Sequence, residues 1–289
     1  MVKSVVRICV CAGVFASLPV SPTRAQEPPA LGTPPPLLVI YREEVKPGRG
    51  AAHAVNESAW AQGFAKAGVP QHWLAMTSMA GPTEAWFLSG YASYADFQKA
   101  EDAVEGSPSM RAIADKFSAQ ESDILDRTTS IIAGYRPALS YQANVSLPTM
   151  RFMQIDVVRV KAGHDREFRA FWRAMVEAHT KAKMDEHWAV YESEAGAEDL
   201  TFYFMYASAT LASGDAAGPM HAAEAFRTAV GESGREQMRE VRREAVESSR
   251  SYIFRMQPSM STLPKEWAAA DPFWAVKAPE PTAATTKKK

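Results

Sequence analysis

A His-Trp pair occurs twice in the chain, as His72-Trp73 in QHWLAM and as His187-Trp188 in EHWAVY. Histidine changes charge near neutral pH, so beside an apolar wall it can move a proton or hold a ligand by a hydrogen bond. The neighbouring indole offers a broad apolar surface. The same pairs also suit a bland reading, with strand-edge histidines bonded to backbone and indoles buried as core. His179 is placed differently. It follows Phe168, Phe171, Trp172 and Met175 at helical spacing, on the apolar stripe of an amphipathic helix. His53 lies on the matching stripe of an earlier helix. A histidine buried on such a stripe needs a polar partner. Asp156, in the strand before the His179 helix, is the expected one, and a His-Asp pair raises basicity and fixes the tautomer. The candidate catalytic residues are therefore His179, Asp156 and His187. The candidate ligand-binding residues are His72, Trp73, Trp172, Trp188 and His53.

Other chemistries find no support. There is no H-E-x-x-H, and no two histidines stand at helical ligand spacing, so no metal site is expected. No glycine-rich phosphate loop or G-x-S-x-G elbow occurs. No motif names a cofactor, which stays unknown. Both cysteines, Cys9 and Cys11, lie in an N-terminal segment that reads as a secretory signal peptide over residues 1–25: Lys3 and Arg7, an apolar run to Leu18, then Thr23-Arg24-Ala25. The protein is expected to be secreted, into the periplasm. Its mature chain would hold no disulfide or thiolate. Removing Lys3, Arg7 and Arg24 leaves (32 − 3) − 33 = −4, which argues against a nucleic-acid partner. No later run is long and apolar enough to span a membrane.

The His-Trp pair recurs because a whole unit recurs. Residues 45–93 match 160–208 without a gap at an offset of 187 − 72 = 115, including Val45, Lys46, Gly48, Lys66, His72, Trp73, Gly81, Phe87 and Tyr91. Each copy reads β-α-β-β-α-β, the ferredoxin-like unit. The expected organisation is a proline-rich leader over 26–36, repeat one over 37–141, a linker over 142–149, repeat two over 150–257 and a partly disordered tail over 258–289. Breaks are expected at Gly106-Ser107-Pro108, at Gly218-Pro219 and from Gly231 to Gly234. Strands with apolar residues at successive positions, such as Phe202 to Tyr206, want burial on both faces. The fold class is therefore α+β: two tandem ferredoxin-like repeats packed sheet to sheet as an intrachain α/β barrel, monomeric in solution.

This pattern resembles the dimeric α/β-barrel superfamily, and VRVKAGHDREFRAFWRAMVEAH (158–179) resembles the strand-turn-helix opening of its NIPSNAP-like and antibiotic-biosynthesis-monooxygenase-like members. The resemblance covers about residues 37–257 and implies a fold that hosts cofactor-free oxygenases, haem-degrading enzymes, haem peroxidase relatives and isomerases. The haem-degrading members use an Asn, a Trp and a His. The mature chain has only Asn56, in a predicted helix, and Asn144, in the linker. The reading expected is a small apolar or aromatic molecule bound between sheet and helices. An oxygenase-like or isomerase-like enzyme using the His179–Asp156 pair is the alternative, and a structural or interaction module the third. Repeat two, carrying His179 and Asp156 where repeat one has Phe64 and Tyr41, would be the functional half.

Overall fold

A computed structural model describes residues 32–68, 71–212 and 224–275. The expected signal peptide, the first part of the leader, the Gly218-Pro219 break and the end of the tail lie outside the described residues. Repeat one contains β1 (Leu37–Val45), α1 (Gly50–Ala67), β2 (Leu74–Ala80), β3 (Glu84–Tyr91), α2 (Tyr94–Glu105), α3 (Pro108–Ile124) and β4 (Leu125–Tyr135). Repeat two contains β5 (Phe152–Val160), α4 (Asp165–Ala182), β6 (Ala189–Ala195), β7 (Thr201–Ser208), α5 (Glu224–Glu244) and β8 (Val246–Met256), and α6 (Lys265–Ala270) follows.

Local chemistry sets the boundaries. Ser107 caps α3 by accepting from Met110 N, and Pro108 fills its first turn, so the second helical region of repeat one is two helices. In α5 the path breaks at Gly231, with φ at 70°. Gly81 and Gly196, 115 residues apart, turn the two hairpins at φ of 93° and 82°, a region that favours glycine.

The eight strands close into one barrel in the order β1-β3-β2-β8-β5-β7-β6-β4. Each repeat forms a four-stranded antiparallel sheet, and the sheets join edge to edge through β2 with β8 and β4 with β6. This order maps onto itself when the repeats are exchanged, so the pseudo-twofold axis runs along the barrel axis. Closure removes the free edges that an isolated sheet would expose. Strand alternation then sorts the side chains. Leu38, Ile40, Met76, Trp86, Met153, Ile155, Tyr203 and Phe254 fill the barrel.

Outside, repeat two packs its helices on a thick aromatic layer that includes Phe168, Phe171, Trp188, Phe202, Phe204 and Phe226. The corresponding layer in repeat one is thin: Ala75, Ala85, Phe87 and Met260, with a small satellite of Val45, Ile124 and Leu125. Among the described residues no helix is long and apolar enough to cross a membrane.

Candidate functional site

The two tryptophans of the repeated pair latch the repeats together. Trp73 exchanges backbone bonds with Thr262, and its Nε1 donates to Met260 O at 2.7 Å. Trp188 exchanges backbone bonds with Tyr141, and its Nε1 donates to Leu139 O at 2.8 Å. Each indole thus grips the turn that follows the last strand of the other repeat. Ser261 Oγ accepts from Ala75 N, and Ser140 Oγ from Val190 N, both at 2.9 Å. These turns are a second repeated motif, Arg136-Pro137-Ala138-Leu139-Ser140 and Gln257-Pro258-Ser259-Met260-Ser261.

The histidines of the pair do something else. His72 and His187 enter β2 and β6 at the same end of the barrel and line one cavity of about 620 Å³. Its inner wall is the barrel interior: Leu38, Leu74, Leu88, Met153, Met205 and Ala207. Its outer wall is built from Gly32 to Pro35, the linker, α2 and the segment before α6. The end of the leader is tied down there, because Tyr191 Oη donates to Pro35 O at 3.1 Å and Tyr135 N to Pro36 O at 2.9 Å. The tail is tied down as well, with Trp274 Nε1 donating to Pro148 O at 2.7 Å and Trp267 against Trp274. Burial pushes the Tyr191 phenol well above its usual range, so it stays a neutral donor. The cavity therefore lies between the two sheets, at the mouth of the barrel. Of the sheet and helix walls expected, the sheet wall is the barrel's inner face and the helical wall is α2 with Trp267 of α6. The strands' inward residues shorten toward that end, from Trp86 and Phe254 to leucine, methionine and Ala207, and space opens. At the opposite end Arg42, Glu84, Trp86 and Tyr252 plug the barrel, with Arg42 Nη2 2.9 Å from Glu84 Oε2 and Trp86 Nε1 2.7 Å from the same oxygen.

The expected His179–Asp156 pair does not form. Asp156 shares the helix-facing side of β5 with Val158, but it accepts from Gln154 Nε2 at 3.0 Å. His179 is fully buried, and its Nδ1 donates to Met175 O at 2.7 Å. Its Nε2 stands 3.1 Å from Glu186 Oε2, off hydrogen-bond alignment, so both atoms remain unsatisfied. Rings of Trp188 and Phe226 pack on it at 4.9 and 4.8 Å. Burial holds its pKa below the ordinary value. These are the contacts of a core side chain. Trp172 is also core, its ring centroid 4.2 Å from that of Phe204, and it does not line the cavity.

His53 sits in a setting that sequence reasoning missed. Its Nε2 lies 2.5 Å from Glu43 Oε2, and Glu57 stands one helical turn further along α1. All three side chains are buried, and one ligating atom of each lies within 4.8 Å of the others. Burial raises the Glu43 carboxyl to about 8, with Glu121 adding to the rise. Glu57 rises to about 8 through burial and the Glu43 charge, and burial lowers His53. At the equivalent positions repeat two has Val158, Phe168 and Trp172. This polar set lies in repeat one, whereas repeat two was expected to be the functional half. The signal available in the sequence was the i, i+4 spacing of His53 and Glu57, with Glu43 at helix-facing parity in the preceding strand.

No family model matches the sequence, and no curated protein matches it. Solved structures do match. An anthrone oxidase-like protein superposes with a TM-score of 0.50 at 13% identity, over 79% of this chain and 94% of its own. A candidate monooxygenase of Fusobacterium nucleatum gives 0.49 at 15% identity, over 77% and 93%. A mutant chlorite dismutase of Candidatus Nitrospira defluvii gives 0.44 at 12%, over 79% and 94%. The fold is a dimeric-α/β-barrel fold like that of the anthrone oxidase-like protein, with two ferredoxin-like units closing one eight-stranded barrel in a single chain. At these identities the likeness speaks for the fold and not for the chemistry.

Proposed function

We propose that the protein is a secreted, periplasmic binder of a small apolar or aromatic molecule, held in the barrel-mouth cavity. The observation that carries this reading is the cavity itself. At about 620 Å³ it has the size of a small-molecule site, its walls are mostly apolar, and two histidines related by the pseudo-twofold face it. The apolar walls provide affinity. His72 and His187 provide hydrogen bonds that orient a ligand carrying an oxygen or nitrogen. Secretion rests on the N-terminal segment, with its basic start, apolar run and Thr23-Arg24-Ala25.

A second reading, an oxygenase-like or isomerase-like enzyme in the same cavity, is favoured by the two titratable side chains on its wall and by the name of the anthrone oxidase-like fold neighbour. In that case His72 or His187, and not His179 with Asp156, is the proton-moving group.

Native mass spectrometry of protein purified from its host tests the binding reading. The expected spectrum contains a retained adduct, released on denaturation and absent from an Ala189→Phe/Ala207→Phe variant that fills the cavity. An adduct kept equally by that variant would place binding elsewhere.

A further inference from the structure

We infer that Glu43, His53 and Glu57 bind one divalent metal ion of mixed nitrogen and oxygen preference, Zn²⁺ or Mn²⁺, beneath α1 of repeat one. The inference does not depend on the barrel-mouth reading.

The three donors come from two adjoining elements. Glu43 projects from the helix-facing side of β1, and His53 and Glu57 face it from successive turns of α1. Their ligating atoms, within 4.8 Å of one another, already form a compact set. Ligands about 2.0–2.2 Å from one ion stand roughly 3 Å apart. The 2.5 Å contact between His53 Nε2 and Glu43 Oε2 therefore has to open by about half an ångström for octahedral and about one ångström for tetrahedral coordination. One imidazole with two carboxylates suits Zn²⁺ and Mn²⁺.

Charge makes the same demand. Glu43 and Glu57 are 2% and 6% exposed, and among the described residues no lysine or arginine forms an ion pair with either. Carboxylates withdrawn from water without a cation are costly, so without one these groups are driven to hold protons instead. The surroundings offer no relief. Glu121 of α3, held by Trp60 Nε1 at 3.0 Å, adds a further carboxylate, and the phenol of Tyr41 on β1 is the other titratable group nearby. A divalent ion balances the two buried carboxylates.

Two independent features point to a ligand. Asn56, 3% exposed, donates to Glu57 Oε1 at 3.1 Å and leaves its own Oδ1 buried without a partner. A hydrogen bond that orients a ligating carboxylate is the usual outer support of a metal site. The free carbonyl beside it suits a metal-bound water. His53 also borders a cavity of about 270 Å³ lined by Thr77, Thr83 and Gln257, which gives a further ligand room to approach. Repeat two, with Val158, Phe168 and Trp172 in these places, has no such set.

The test is a titration of the chelator-stripped full-length chain with Co²⁺, whose visible absorption reports mixed N/O coordination. The expected result is one Co²⁺ per chain, displaced by Zn²⁺, with a rise in Tm. Glu57→Gln should bind about tenfold more weakly or worse and lose the metal-dependent rise. Its Tm in chelator should match or exceed the native value, because a buried ionisable carboxyl has become a neutral amide that keeps its hydrogen bonds. His164→Ala, at the exposed His164–Glu167 pair, should change nothing. Equal Co²⁺ affinity in native and Glu57→Gln, or loss of the ion only in His164→Ala, overturns the proposal. Should Glu57→Gln fail to fold, Glu43→Gln carries the same comparison.

Discussion

His53 and Phe168 occupy one position in two copies of the same helix, and their surroundings diverge together. His53 meets Glu43 at 2.5 Å, whereas Phe168 packs on Phe202 with centroids 4.9 Å apart, in a cluster that also holds Val158. One repeat has kept this helix-sheet interface apolar, and the other has built a polar set into it. The coupling is testable by moving repeat one toward repeat two.

In chelator, Glu43→Val alone strands a buried histidine and should lower stability. Glu43→Val/His53→Phe removes both polar groups and restores an apolar contact, so it should recover most of the loss. The interaction between the two changes should be about 1–3 kcal/mol in urea denaturation. Additive losses would mean that the residues are not a unit.

The pH dependence of stability offers a second check, at His179. Burial lowers its pKa in the folded state, so between that value and about 6.5 the unfolded chain binds the extra proton. Stability linked to His179 is therefore present above about pH 6.5 and is lost as pH falls. Glu186 acts oppositely, since burial raises its carboxyl pKa and favours the folded state on the acid side. His179→Phe, which copies Phe64, isolates the histidine. From pH 7.5 to 5.5 the native protein should lose stability relative to the variant, as read by chemical denaturation at each pH. A native-to-variant difference that does not change over this range would contradict the assignment.

Assembly gives a third. The barrel closes within one chain through β2 with β8 and β4 with β6, leaving no sheet edge for a second copy to complete. Light scattering should report a monomer in dilute solution. An obligate dimer would show that the outer faces need a partner.

Much of the fold was legible in the sequence, and for physical reasons. An ungapped match of 45–93 with 160–208 shows the duplication directly, and hydrophobic period separates strands from helices. The edge pairing was not legible, because it joins segments such as Ser78 and Phe254 that share no local signal. The latch was hidden because its turns repeat at 257 − 136 = 121 residues, the insertion near α5 having shifted them from the offset of 115. His72 and His187 were legible as candidates, but the face each presents depends on how the chain enters the strand. The His179–Asp156 pairing failed because a shared face does not bring two side chains together: Asp156 is held by Gln154, and His179 by Met175 and its aromatic neighbours.

The most direct test of the binding claim is a titration with a neutral apolar fluorophore, N-phenyl-1-naphthylamine. Tryptophans 73, 188 and 267 line the cavity and serve as energy donors. One saturable site per chain is expected, with Kd on the order of micromolar. Binding should be abolished in Ala189→Phe/Ala207→Phe and unchanged in His179→Phe. Saturable binding that survives filling the cavity, or no binding by the native protein, would contradict the account.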